Sequence, residues 1–201
     1  MAGLKKGLLL SGGMDSTSIA YWKRPDLAIT IDYGQRPAAG EVRAAKAVSD
    51  TIGIQHVVVE ADVAHLGSGD LAGGPALELA PAPEWWPYRN QFLLTVAAMK
   101  CIVEGVSELM IGALRTDGFH ADGTLAFIDK FNELIKLQEG DLIVTAPAIH
   151  LDAKELVIES NIPEGVLAWS HSCHVSDYAC GVCRGCQKHY TTMGAIYDRP
   201  Y

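Results

Sequence analysis

The chain has 201 residues and a formal net charge of −8, with 49% hydrophobic and 20% charged residues. That length suits one domain with a sizeable core, and the balance excludes a disordered chain. The acidic excess argues against non-specific affinity for a nucleic-acid backbone but allows a small anion held in a locally positive pocket. No stretch approaches the ~20 apolar residues needed to span a bilayer. The apolar run in MAGLKKGLLL is too short for a leader, so a cytoplasmic protein is expected.

In chain order, residues 5–10 (KKGLLL) read as a short buried strand that delivers a glycine-rich loop. Residues 14–23 form a helix stopped by Pro25, and residues 26–32 (DLAITID) a second strand. Ala, Glu, Arg and Lys in 38–52 favour a helix that Gly53 stops, and 54–60 (IQHVVVE) is a β-branched strand. Gly, Ala and Pro crowd residues 61–88 into a long loop, of a length that is usually functional or disordered. A helix over 91–105, a strand over 108–113, a helical stripe in 124–139, a last strand at 141–145 and a helix over 152–160 complete the body. Strands alternating with helices predict a parallel sheet covered on both faces.

Ser11-Gly12-Gly13-Met14-Asp15-Ser16 follows the first strand and opens the first helix. Glycines let a backbone approach a phosphate, and the helix start offers unpaired N–H groups. Asp15 suits a role through magnesium better than direct contact with an anion. The spacing matches neither GxxxxGK[ST] nor GxGxxG. Near the end, Cys173-x6-Cys180-x2-Cys183-x2-Cys186 places four thiols within fourteen positions, and in a cytoplasmic chain such clustering favours a metal over disulfides. A full set of cysteines leaves no open position, so a structural Zn²⁺ is the expectation and an iron–sulfur cluster the competing assignment. Cys101 reads as a small core residue.

The SGG-x-DS loop resembles the pyrophosphate loop of the ATP-pyrophosphatase superfamily. Further motifs resemble the QueC family of 7-cyano-7-deazaguanine synthases: Asp32-Tyr33-Gly34-Gln35-Arg36 after the second strand, Pro87-Tyr88-Arg89-Asn90 opening a helix, APAIHLDAKEL with Lys154, and the tail SCH…CGVCRGC. The order matches from residue 8 to about residue 190.

The resemblance implies an adenine-nucleotide α-hydrolase-like α/β fold, with an ATP-pyrophosphatase-type domain over 1–165 and a zinc-binding extension over 166–201 packed on it. It implies conversion of 7-carboxy-7-deazaguanine, ammonia and ATP to a nitrile by carboxylate adenylation, and a homodimer; from the charge and the lack of a spanning stretch, no contact with nucleic acid or membrane is expected. Asp15, Ser16, Arg36 and Lys154 are the expected catalytic residues. Ser11, Gly12, Gly13, Asp15, Ser16, Asp32, Arg89, Asn90, Gly112 and Asp117 are expected to bind ATP, its Mg²⁺ or the carboxylate. Residues 114–123 depart from the family's GANxxDxxGYPDCR run, and Pro37 replaces a histidine. That departure motivates a second reading, a related ligase that adenylates another carboxylate, such as a peptide or protein end. A tRNA-thiolating enzyme and a non-catalytic zinc module are the remaining alternatives.

Overall fold

The computed structural model describes residues 4–198. Its strands are β1 (Lys6–Leu9), β2 (Leu27–Asp32), β3 (Gln55–Glu60), β4 (Glu108–Met110) and β5 (Ile143–Thr145). Its helices are α1 (Met14–Lys23), α2 (Ala38–Ile52), the single turn α3 (Gly69–Ala72), α4 (Arg89–Glu104), α5 (Leu125–Ile135), α6 (Ala153–Ser160), the single turn α7 (Glu164–Leu167) and α8 (Arg184–Tyr197).

The strands pair in the order β3-β2-β1-β4-β5, and every pair is parallel. Side chains alternate across a strand, so both faces must be apolar where helices cover both. Leu8, Leu10, Ala28 and Met110 face Ile19 and Ala20 of α1, Ala45 and Val48 of α2, and Leu156 of α6. Leu27, Ile29, Ile31, Leu109 and Val144 face Leu94 and Ala97 of α4 and Ile128 and Phe131 of α5. Cys101 lies in that second core, where burial pushes its thiol up to about 12. It is a packing residue, as expected, and its thiolate is suppressed.

The chain winds outward from β1 through β2 to β3, then returns to the other side of β1 for β4 and β5. The sheet order therefore reverses between β1 and β4. Loops leaving the carboxyl ends of two such strands part in opposite directions and open a crevice, the usual ligand site of this architecture.

Edge strand β5 is blunted by one side chain. Asn132 of α5 donates from Nδ2 to the Val144 carbonyl at 2.8 Å and accepts from the Val144 N–H at 2.8 Å. An open strand edge invites pairing with another chain, and this amide fills the position of a further strand. Asn132→Ala leaves both groups of the buried Val144 unpaired, with an expected loss of about 1–3 kcal/mol. Thermal unfolding should shift down accordingly.

The segment after α7 holds more structure than its motifs foretold. Its last part is a 14-residue helix, α8, and Met193 on it is fully buried against Met14 of α1, Val157 of α6, Ile162 and Leu167. A tail expected to rely on its metal thus also owns a small hydrophobic seam with the body.

Candidate active site

The loop after β1 is shaped by Gly12, whose φ of +75° suits glycine. A Cβ there would lie 2.7 Å from the Ala44 Cβ and 2.8 Å from the Glu41 carbonyl, so α2 approaches as closely as it does only because Gly12 has none. The loop hydroxyls brace it: Ser16 Oγ donates to the Gly13 carbonyl at 3.1 Å, and Ser11 Oγ and Ser16 Oγ lie 3.2 Å apart. Gly13 caps α1 with no side chain, which leaves the N–H groups of the first turn for an anion.

The tail forms the roof. The His171 N–H donates to the Gly12 carbonyl at 2.8 Å. Helix α8 brings Lys188 to Asp15, with Nζ 2.9 Å from Oδ2. The other Asp15 oxygen is buried without a protein partner. Asp117 stands near both, and its carboxylate accepts from the Leu114 N–H at 2.9 Å. Burial raises the Asp117 carboxyl above its ordinary range and Asp15 adds to this, while Lys188 opposes it. Burial alone would lower Lys188, but Asp15 and Asp117 outweigh it and hold the ammonium above its ordinary value.

These groups line one cavity of about 350 Å³ at the sheet's reversal point, a size suited to small ligands. Of the residues expected from sequence, Ser11, Gly13, Asp15, Ser16, Arg89, Asn90, Gly112 and Asp117 line it, and Gly12 shapes its floor from outside. Asn90 does more than face the cavity. It donates from Nδ2 to the Asp122 carbonyl at 3.0 Å, and its N–H reaches the Asp122 carboxylate at 3.2 Å. The divergent 114–123 segment is thereby pinned to the start of α4.

Three expected residues stand elsewhere. Arg36 is exposed and lies over Gly73, outside the cavity lining. Asp32 turns back on its own loop, accepting from the Gly34 N–H at 3.0 Å. Lys154 is exposed on the first turn of α6, beside the reciprocal Asp152–Glu155 cap. Each follows its motif in sequence, but the local turn or helix start uses the motif for backbone geometry.

Sequence reasoning missed several cavity residues. Lys188 and Arg184 lie between or just after the cysteines, and their partners Asp15 and Glu84 are 173 and 100 positions away. Glu84 belongs to the 61–88 loop, which carries the single-turn α3 and a 3-10 turn at Ala64–Leu66. Gly69 (φ +66°) lets this loop fold on itself, since a Cβ there would overlap the Pro83 carbonyl. Trp86 is the plug beneath it, buried and edge-on to Tyr33 at 5.0 Å.

Glu41 of α2 also lines the cavity. Part of its surface stays open, yet protein surrounds it closely enough that desolvation raises its carboxyl to about 7, against the lowering effects of Gln35 and Arg89. The folded state therefore binds this proton more tightly than the unfolded chain. The stabilising contribution is complete below pH ~4.5 and is lost as pH rises through about 7. Glu41→Gln, which cannot titrate, should lack this loss. Between pH 5 and 8 the wild type should lose up to about 3 kcal/mol relative to the variant in denaturant titrations.

The four thiols meet as expected. The Sγ atoms of Cys173, Cys180, Cys183 and Cys186 all lie within 4.8 Å of one another, with Cys173–Cys183 at 3.9 Å and Cys180–Cys186 at 4.0 Å. Backbone N–H groups of His174, Cys183 and Cys186 point at the sulfurs at 3.4–3.5 Å. The amides of Val182 and Cys183 pull Cys180 down to about 6, while burial pushes Cys183 up and Cys186 up to about 12, so an ion is needed to hold all four as thiolates. Such a set is built to hold a metal ion as thiolates.

A parallel sheet in the order 3-2-1-4-5, with a phosphate-type loop at its reversal point and an apposed four-cysteine knuckle, defines an adenine-nucleotide α-hydrolase-like α/β protein. The family model of the queuosine biosynthesis protein QueC matches residues 6–194, and the chain belongs to that family. It is 27% identical to the 7-cyano-7-deazaguanine synthase of Methanocaldococcus jannaschii, over 98% of each chain. It is 31% identical to the 7-cyano-7-deazaguanine synthase of Koribacter versatilis, over 98% of this chain and 93% of that one. The fold is shared with the U34-tRNA thiolase NcsA from Methanococcus maripaludis, solved with its [4Fe-4S] cluster, at a TM-score of 0.53, 16% identity, and coverage of 98% of this chain and 70% of that chain.

Proposed function

We propose that this chain is an ATP-dependent, C–N bond-forming enzyme that converts 7-carboxy-7-deazaguanine and ammonia to 7-cyano-7-deazaguanine. The observation that carries the reading is the braced phosphate loop at the sheet's reversal point, in a chain that aligns over 98% of its length with synthases of that name.

The work left to the protein is positioning and electrostatics. The loop and the α1 start hold the triphosphate, with Ser11 and Ser16 as donors. Lys188 faces the same space and offsets charge on the departing pyrophosphate. Asp15 and Asp117 are the residues that would hold the Mg²⁺ accompanying ATP, which screens the phosphate charges. Transfer of AMP to the carboxylate turns its oxygen into a leaving group, and ammonia displaces AMP to give the amide. A second transfer to the amide oxygen then drives loss of that oxygen to the nitrile. Arg89 and Asn90 border the carboxylate end of the cavity. Arg36 and Lys154 would need to move to take part, and the reading does not require them.

We take the knuckle metal to be structural Zn²⁺. Zinc–sulfur bonds of ~2.3 Å in a tetrahedron put sulfurs about 3.8 Å apart, close to the Cys173–Cys183 and Cys180–Cys186 separations. The body over 1–165 and the tail over 166–201 are read as one unit, because the roof of the site comes from the tail. The family resemblance further suggests a cytoplasmic homodimer, which light scattering on purified protein tests.

The test of the activity is ATP turnover with 7-carboxy-7-deazaguanine and ammonium, following AMP and product mass together. A nitrile accompanied by AMP is the expected result. AMP release without change in the deazaguanine mass would rule the reading out.

A further inference from the structure

Both halves of the proposed reaction require nitrogen-bound protons to leave, and no residue has yet been given that task. We propose that Glu41 is the catalytic base that accepts these protons. The inference rests on the function proposed above and adds a residue to it.

In the first half, the ammonia lone pair forms the N–C bond at the adenylated carboxyl carbon. The C–O bond to AMP breaks with its electron pair leaving on AMP, and one N–H proton passes to Glu41. In the second half, the amide oxygen takes AMP from another ATP. Two N–H protons are then lost as the C–O bond breaks and the C≡N bond forms. Glu41 passes each proton to solvent between steps.

Four other carboxylates line the cavity, and each has a structural partner. Asp15 is ion-paired with Lys188 at 2.9 Å, and Glu84 with Arg184 at 3.0 Å. Asp117 accepts from the Leu114 N–H at 2.9 Å, and Asp122 holds the N–H of Asn90 at 3.2 Å. A proton arriving on any of these would loosen the loop, the roof or the divergent segment. Glu41 is held differently. Its Oε2 accepts from Gln35 Nε2 at 2.8 Å, a neutral amide that orients one oxygen and leaves the other for an incoming donor.

Gln35 is itself fixed. It is buried, it accepts from the Tyr33 N–H at 2.8 Å, and it donates to the Ile31 carbonyl at 3.3 Å. Rotating the amide would set its NH₂ against the Tyr33 N–H, so the orientation is determined. The charged and titratable groups around Glu41 are Arg89 from the start of α4 and Asp32 and Tyr33 from the end of β2. Desolvation places the Glu41 carboxyl at about 7, so both protonation states are populated near neutral pH, as a group that accepts and returns protons requires.

The test separates adenylation from nitrogen chemistry. ATP–pyrophosphate exchange with 7-carboxy-7-deazaguanine and no ammonium reports the first AMP transfer. Amide formation after addition of ammonium reports the step that needs the base. In Glu41→Gln, exchange should stay within about threefold of wild type while amide formation falls roughly 10²–10⁴-fold. Nitrile formation from supplied amide and ATP should fall with it, and Glu41→Asp should recover part of both rates.

Metal content and melting temperature confirm that each variant is folded. Exchange falling in parallel with amide formation, or amide formation at the wild-type rate, overturns the assignment of Glu41 and leaves the proposed function standing. Absence of exchange in the zinc-loaded wild type overturns the proposed function and this inference with it.

Discussion

Cys186→Ser will lose the metal, lower the melting temperature by more than ten degrees, and reduce ATP–pyrophosphate exchange by at least two orders of magnitude, on the order of 3 kcal/mol or more. The reason is architectural on the reading of the knuckle as a structural zinc site proposed above. Cys186 lies in the first turn of α8, two residues before Lys188, and Cys173 lies two residues after His171. One ion held by these thiols would therefore fix both roof contacts, the His171 N–H on the Gly12 carbonyl and the Lys188 ammonium on Asp15.

Structural zinc contributes about 10–16 kcal/mol of binding free energy in small peptides, and a domain that folds around its own core needs only part of that. The body keeps its sheet and its two faces, so the variant should retain most of its far-UV dichroism. A chelator should produce the same state in wild type, and added zinc should reverse it. Metal content, melting temperature and exchange measured on one sample check this. Full exchange from metal-free protein would sink the account.

Lys188→Met should reduce exchange by about 10²-fold with only a small change in stability. Lys188 is the cation 2.9 Å from Asp15, and Asp117 is close enough to act on both. Without the ammonium, Asp15 and Asp117 lose the cation that stands closest to them as the triphosphate arrives. Asp15→Asn should be at least as damaging, because its Oδ1 is already buried without a partner and suits a cation brought by the nucleotide. Since both residues act on the same phosphates, the double variant should be little worse than the worse single one. Strict additivity would show that Lys188 and Asp15 act independently. Lys188→Arg keeps the charge but not the point geometry and should recover part of the rate.

Elements whose sequence pattern is local were readable in advance. Every strand of the sheet falls within an apolar or β-branched run, and α1, α2, α4, α5 and α6 fall within helix-forming runs, whereas the single turns α3 and α7 carry no such signal. The glycine loop after β1 and the clustering of the four thiols were readable for the same reason. A glycine loop after a strand, or thiols at CxxC spacing, carries its geometry within a few residues. Helix α4 starting at Arg89 rather than 91 is a boundary matter, since Tyr88 adopts a left-handed backbone that no propensity signals.

Where contact order is high, pattern fell silent. Lys188 meets Asp15 across 173 positions, Arg184 meets Glu84 across 100, and Asp177 on the knuckle loop accepts from the Gly40 N–H across 137. None of these side chains differs in sequence from an ordinary surface charge. Glu41 shows the point most plainly, because on an amphipathic helix it reads as a solvated first-turn acid. Only packing of α2 against the loop after β1, with Gln35 and Arg89 brought alongside, encloses it.

Arg36 and Lys154 show the converse, being motif residues that tertiary structure leaves in solvent. By itself the sequence determined the sheet, the loop and the thiol cluster, because backbone propensity, glycine conformational freedom and thiol spacing act over short distances. Which charges share the cavity, and which of them lose water, was decided only when the tail folded back across the carboxyl ends of β1 and β4. Electrostatic partnership and desolvation depend on distance in space, which chain position does not encode.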